Sequence, residues 1–424
     1  MRLLPILAAL LLTASVASAE TVRFATFNSS LSRDAPGELL KAMQTGDDAK
    51  AKAVAAIIQA ARPDVLLLQE FDHGGEYDPD GEALRLFQQN YLGVAQQGDL
   101  EPIAYEHVYL APSNTGLPTG LDLNGDGLIA PCEGAEVGTG AYAADCHGYG
   151  LFPGQYAFVI LSKHPIDHEA IETFEDLVWR DLDGNLMPYV HADNGGKDTR
   201  RLSTSGHASV PVRIGETHVR VLAANPDFSD AFVPPFSGSA GARNHDEIAL
   251  LHGMAVEAER AFVVAGNLGA DRSDGRLFRY QPHPFPRFRK SEETAVLFSV
   301  SGFQFPGYVI KTAPPRPHAI ESLLQSELIW SNLAIGSRGG GEAAERDGGV
   351  NLAHVGPAIA DTADLEDERD GNLRLDYVLP SADLQLVSGG VFWPTPDEQL
   401  MGVDLAVVEA ASDHRLVWVD VRVP

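Results

Sequence analysis

At 424 residues the chain can bury a large core, in one large domain or a few small ones. It carries 59 acidic and 31 basic side chains, a formal net charge of −28. Such a body repels phosphate polyanions and offers no basic field to steer them in, which argues against duplex nucleic acid as a substrate.

The first residues read as an export signal. Arg2 supplies the positive start, Leu3–Leu12 the apolar stretch and Ala17-Ser18-Ala19 the cleavage site, leaving Glu20 as the mature start. The apolar stretch is shorter than the ~20 residues a membrane span needs, and no later segment approaches one. Secretion or release into the periplasm is the expectation.

Val22–Phe27 is rich in β-branched and aromatic residues and predicts a strand. Val54, Ile57, Ile58 and Ala61 have helical spacing, so Asp47–Ala61 predicts a helix that Pro63 stops. Val65–Leu68 is a continuous apolar run, as in a strand buried on both faces. Ala157–Leu161, Val210–Ile214, Val219–Ala223, Phe262–Ala265, Leu375–Leu379 and Leu416–Val421 are further strands, with a helix over Asn244–Glu259. Helices alternating with apolar strands, without an internal repeat, predict a layered α/β fold. Ser113–Tyr149, Tyr280–Pro317 and Ser337–Asp370 read as loops or insertions. Within the second, Phe285, Arg287, Phe288, Arg289 and Lys290 form a basic–aromatic cluster that reads as an ordinary loop face.

Cys132 and Cys146 are the chain's two cysteines, and export would favour a bridge between them.

The candidate chemistry lies at strand ends. Glu70 directly follows the strand Val65–Leu68, where a carboxylate can bind a divalent cation at the sheet edge. Asn28 ends the first strand with an amide able to orient a phosphate oxygen or a neighbouring carboxylate. Ser412-Asp413-His414 precedes the last strand and sets a carboxylate beside an imidazole. Asp376 sits inside an apolar strand and needs a partner if buried; a histidine is the natural one. No P-loop or dinucleotide fingerprint occurs.

The ordered set Thr26-Phe27-Asn28, Leu68-Gln69-Glu70, Leu375-Asp376-Tyr377-Val378-Leu379 and Ser412-Asp413-His414 resembles the endonuclease/exonuclease/phosphatase superfamily. Phe152–Tyr156, Leu161–Lys163, Arg243–Ile248 and Gly389–Pro394 add to the likeness, which looks closest to a secreted bacterial branch. The resemblance implies an α/β/β/α four-layer sandwich over residues 20–424, after a signal peptide at 1–19, with loop insertions near 113–149 and 280–370. It also implies one divalent metal, Mg or Mn, at one end of the sheets and attack on a phosphoester by an activated water. By the same resemblance Glu70 and Asp413 are metal ligands, His414 contacts the scissile phosphate, Asp376 orients His414, and Asn28 is the asparagine of the first strand.

Two motifs depart from the family. Its Gly-Asp-x-Asn segment reads here Gly266-Asn267-Leu268-Gly269, and its His-Pro pair reads Asn225-Pro226. A carboxylate can take a proton from water at neutral pH and an amide cannot. Asparagine is also a far poorer acid than histidine. Hydrolysis is therefore expected to be impaired or altered, unless Asp271 or Asp227 swings in or a metal-bound water works without a protein base. The alternative is a non-catalytic binder of a phosphorylated ligand or a protein partner on the same fold. A small phosphoester fits either reading.

A second metal site is legible on its own. Asp122, Asn124, Asp126, Leu128 and Glu133 fit the twelve-residue calcium loop, with Gly127 at its sharp turn. Thr115–Gly120 holds Gly and Pro where an entering helix would be, so the expectation is a structural calcium rather than a paired sensor.

Overall fold

The structure is a computed structural model that describes residues 19–187, 195–228, 238–274, 298–300, 303–305, 318–331 and 335–424. The proposed signal segment, apart from Ala19, and the basic–aromatic cluster at 285–290 lie outside the described residues.

In chain order the strands are β1 (Glu20–Asn28), β2 (Val65–Gln69), β3 (His107–Leu110), β4 (Phe158–Ser162), β5 (Glu172–Thr173), β6 (His207–Ile214), β7 (Thr217–Ala224) and β8 (Phe262–Asn267). There follow β9 (Phe298–Val300), β10 (Phe303–Phe305), β11 (Ala363–Asp364), β12 (Asn372–Leu373), β13 (Asp376–Pro380), β14 (Gln385–Val391) and β15 (Val417–Val423). The helices are α1 (Glu38–Thr45), α2 (Ala49–Ala61), α3 (Glu82–Phe87), α4 (Gly140–Ala144), α5 (Gly196–Thr199), α6 (Gly238–Ala258), α7 (Ala319–Leu324), α8 (Arg338–Asp347) and α9 (Leu405–Ala411).

Two mixed sheets form, in the orders β14-β15-β1-β2-β4-β3 and β13-β8-β7-β6-β5. Strand alternation explains how they stack. Val22 and Phe24 of β1, Val65 and Leu67 of β2, and Val263 and Ala265 of β8 share one buried cluster between the sheets. The intervening residues face outward into helices: Ala25, Phe27, Leu66 and Leu68 join residues of α1, α2, α3 and α9. Leu222, Val264, Tyr377 and Leu379 join residues of α6 and α7. Period-two alternation with both faces apolar thus gives the α/β/β/α layering expected from the sequence.

Local chemistry sets the ends. The Asp48 carboxylate caps α2 by accepting from the Ala51 N–H at 2.8 Å, and Arg62 closes it in a left-handed conformation before Pro63. Because β1 and β2 are parallel, a crossover must join them, and α1 and α2 supply it. At the rim, β1 and β2 end side by side at Asn28 and Gln69, while β8 ends opposite the start of β13 at Asn267 and Asp376.

Two expectations need correction. The Gly-rich stretch after Ser337 is the helix α8 rather than loop. Its glycines are required by close packing, since a Cβ on Gly339 would lie 2.3 Å from the Trp393 carbonyl. The Cys132–Cys146 bridge is not formed; both are free thiols. The Cys146 thiol donates to the Tyr142 carbonyl at 3.3 Å, and burial, then the Asp145 charge, pushes its pKa up to about 12. A thiol held protonated in this way is a poor partner for disulfide exchange.

Buried histidines tie acid stability to the second sheet. His207 at the start of β6 bonds Ser203 and the Glu247 carbonyl, and burial pushes its pKa down to about 4. Its stabilising contribution is full above its unfolded value near 6.5 and is lost as pH falls toward 4. The stability gap between wild type and His207→Gln, read by chemical denaturation, should therefore narrow from pH 7 to pH 5.

Candidate active site

The two sheets bring their functional residues to one rim. Glu70 leaves β2 with a left-handed backbone, φ 54°. For a residue with a side chain such a conformation costs of order 1–3 kcal/mol and is characteristic of functional positions. The Asn28 amide donates to Glu70 Oε1 at 2.9 Å and so fixes the carboxylate. Ser412 ties the last strand's approach to the same place. Its hydroxyl donates to the Asn28 carbonyl at 2.8 Å and accepts from the His414 N–H at 3.0 Å.

His414 then reaches across to the other sheet. Its Nδ1 lies 2.8 Å from Asp376 Oδ2. A carboxylate can only accept there, so Nδ1 carries the proton in this bond and Nε2 is left for a ligand. Burial alone would lower the His414 pKa. The charge and hydrogen bond of Asp376, with Glu70 farther off, outweigh burial and raise it above the ordinary histidine value. Asp376 itself is fully buried and is positioned by Thr362, whose hydroxyl donates to Oδ2 at 2.9 Å and accepts from the Leu375 and Asp376 N–H groups. Thr362 is a positioning residue that sequence reasoning missed. It lies in a stretch read as an insertion, with no motif to mark it.

His414 and Asp413 line a cleft of about 500 Å³ together with Asn267, Phe228, Leu375 and the 364–370 segment, a size suited to a small ligand. Asp413 is exposed, and its carbonyl accepts from the Asp364 N–H at 2.8 Å. The structure therefore brings Asn28, Glu70, Asp376, Asp413 and His414 to one rim.

The substituted positions are firmly placed. Asn267 Oδ1 accepts from the Gly269 N–H at 3.0 Å, and Asn267 stands directly opposite Asp376 in the β8–β13 ladder. Gly269 has φ 60°, and a Cβ there would lie 2.6 Å from the Asp227 carbonyl. Asn244 of α6 donates to both the Asp227 and Leu268 carbonyls, and Glu247 accepts from the Asp227 N–H at 2.9 Å. Both loops are thus clamped from α6. Asn225 is buried and donates to Ser205 at 3.3 Å. Asp271 does not swing in: its carboxylate accepts from the Ser273 and Arg374 N–H groups and lines a separate pocket with Asp361.

The 122–133 loop is held differently. Asp122 accepts from the Gly125, Asp126 and Gly127 N–H groups, Asp126 from the Leu128 N–H, and Asn124 donates to Asp126 at 2.9 Å. Glu133 is exposed. Among the described residues, the one group of three acidic side chains with ligand oxygens within 4.8 Å of one another is Asp347, Asp364 and Asp367.

A sequence model of the endonuclease/exonuclease/phosphatase family matches residues 26–414. The chain belongs to this family. No curated protein matches it. Among solved structures it is similar to a family protein from Beutenbergia cavernae, at 17% identity and TM-score 0.49, covering 95% of this chain and 72% of that one. It is also similar to sphingomyelinase C from Streptomyces griseocarneus, at 14% identity and TM-score 0.39, covering 95% and 99%. A Staphylococcus aureus beta toxin mutant with bound magnesium ions matches at 11% identity and TM-score 0.44, covering 94% and 99%. Among the described residues no helix is long and apolar enough to cross a membrane.

The carboxylate of Asp376 is what lifts the His414 pKa, so Asp376→Asn should lower it. Histidine ring NMR on metal-free protein checks this; an unmoved titration would show that Asp376 is only a packing residue.

Proposed function

We propose that this chain is an exported phosphoester-binding protein of the family whose hydrolytic step is impaired. The observation that carries the reading is Asn267. It faces the cleft beside His414, where the family places a carboxylate, and its amide oxygen is spent on the Gly269 N–H. It stands opposite Asp376 in the ladder, and an amide there cannot take a proton from water.

The other half of the machinery supports ligand binding. Glu70 and Asp413 would hold a magnesium or manganese ion, and the all-oxygen donor set with Asn28 steering Glu70 suits a hard cation. Such an ion supplies Lewis-acid polarisation of a phosphoryl oxygen when bound. His414, with Nδ1 held by Asp376, would turn Nε2 toward a phosphoryl oxygen in the cleft, and its raised pKa favours the protonated form that can donate there. Thr362 keeps Asp376 in register for this. Among the described residues at the end of β8, Asn267 is an amide and the Asp271 carboxylate is bound elsewhere. General base help is worth roughly 10²–10⁴-fold, which sets the scale of the loss. The net charge of −28 disfavours duplex nucleic acid, so the ligand is a small phosphoester or phosphorylated molecule. Export rests on the Arg2–Ala19 segment. A structural calcium in the loop of Asp122, Asn124, Asp126, Leu128 and Glu133 is part of the same proposal, supported by the way Asp122 gathers that loop's N–H groups.

Turnover of generic phosphodiesters and monoesters with Mg²⁺ or Mn²⁺ tests the reading. Wild type should be slow, and Asn267→Asp should raise kcat by about 10²-fold, because an aspartate keeps the acceptor for the Gly269 N–H and adds a base. Gly269→Asn should not help, since its Cβ meets the Asp227 carbonyl. Fast wild-type turnover that disappears in Glu70→Gln would overturn the impairment. Mg²⁺-dependent binding of a phosphorylated ligand without turnover, even in Asn267→Asp, would assign a binding role alone.

A further inference from the structure

The wall of the cleft has an electrostatic oddity that the catalytic reading does not use. The segment between β11 and β12 forms this wall, and its Asp364 and Asp367 lie with Asp347 at the end of α8. Oxygens of all three come within 4.8 Å of one another. Two guanidinium groups offset them. Arg415 Nη2 pairs with Asp364 Oδ2 at 2.9 Å, and Arg346 pairs with Asp347 at 2.7 Å. Three carboxylates against two cations leave one negative charge in excess.

A second observation points to a ligand at the same place. Asn372 is fully buried, yet neither its Oδ1 nor its Nδ2 has a hydrogen-bond partner. Buried amides in native proteins are almost always satisfied. Asn372 is the cross-strand partner of Asp364 in the antiparallel β11–β12 ladder. Opposed residues of such a pair project from the same face, so the Asn372 amide lies on the face that carries Asp364, one of the three carboxylates. Asn351 completes the frame. It donates to Asp367 Oδ1 at 3.1 Å and accepts from the Asn372 N–H.

We propose that Asp347, Asp364, Asp367 and the Asn372 side-chain oxygen form a site for a hard divalent cation of calcium type, separate from the Glu70/Asp413 pair. The donors are all oxygen, which excludes soft metals, and they come from a helix end (Asp347), a loop (Asp367) and two paired strand ends (Asp364 and Asn372), which suits the variable geometry calcium accepts. The ion offsets the excess charge and satisfies the orphaned amide. It also has a mechanical consequence. The Asp364 N–H holds the Asp413 carbonyl, and Leu365, Glu366, Arg369 and Asp370 line the cleft. Fixing this loop fixes both the cleft wall and the backbone of Asp413.

Calorimetric titration of the metal-stripped full chain with CaCl₂ tests the site. Asp367 is exposed, so Asp367→Asn should fold normally and should lose one Ca²⁺ equivalent or at least tenfold in affinity at that site. The double variant Glu70→Gln with Asp126→Asn should retain that equivalent. Trypsin cleavage after Arg369 gives an independent readout: Ca²⁺ should slow it in wild type and not in Asp367→Asn. Asn372→Ala should behave like Asp367→Asn where circular dichroism shows it folded. The proposal is overturned if Asp367→Asn binds Ca²⁺ with wild-type stoichiometry and affinity, or if Ca²⁺ leaves cleavage after Arg369 unchanged in wild type.

Discussion

The hydrogen bond between His414 and Asp376 is the link on which the site depends, because it joins the two sheets. His414 enters from the segment before β15 in the first sheet, and Asp376 opens β13 in the second. Neither sheet alone carries a complete site. An ionised carboxylate buried to the degree of Asp376 is unfavourable unless it is paired and hydrogen-bonded. Thr362 and His414 supply that pairing at Oδ2. The same bond then determines the imidazole's tautomer, its orientation and its raised pKa. Packing between the sheets, from Val22 and Phe24 on one side to Val263 and Ala265 on the other, holds the two halves in register.

The second half of the site has settled around its substitutions. Gly269 allows the Asp227 carbonyl to approach to a distance that no side chain would permit, and Asn244 donates to that carbonyl while Glu247 takes the Asp227 N–H. The 225–228 and 267–269 segments therefore pack as one unit under α6. Restoring a single family residue meets different resistance at each position. At 267 the backbone and its turn hydrogen bond accept an aspartate, while at 269 the neighbouring chain already occupies the space.

Most of the layered fold was legible because its strands are apolar on both faces and its α2 helix has sharp caps. Val65–Leu68 and Phe262–Ala265 could hardly be anything but buried strands, and Pro63 marked where α2 stops. The edge strand β14 escaped, since its pattern is largely exposed and carries two glycines. Helix α8 escaped because glycine lowers helix propensity, and Gly339 and Gly340 serve close packing instead. In the site, Asn28, Glu70, Asp413 and His414 stood out by their place at strand ends, and Asp376 as a lone carboxylate inside an apolar strand. Thr362 and Asn372 did not, because their roles arise only when a distant segment pairs with them. The free thiols show the same limit. Two cysteines in an exported chain suggest a bridge, but whether they meet depends on what each sulfur touches.

The charge of the cleft decides how the retained residues should be weighed. Asp364, Glu366, Asp370 and Asp413 line it, and its one lining guanidinium among the described residues, Arg369, is paired with Asp370 at 2.7 Å and Glu366 at 3.8 Å. An anionic ligand entering such a cleft is repelled unless cations are already bound. Divalent ions are therefore a condition for holding a phosphoester at all, before any question of cleaving it. A hydrolase and a phosphate-binding protein would both need Glu70 and Asp413 for that reason. Retention of the two carboxylates proposed to hold the metal thus favours neither. On the proposed reading the discriminating residues are those that only the chemical step requires, and the one that faces the cleft, Asn267, is an amide.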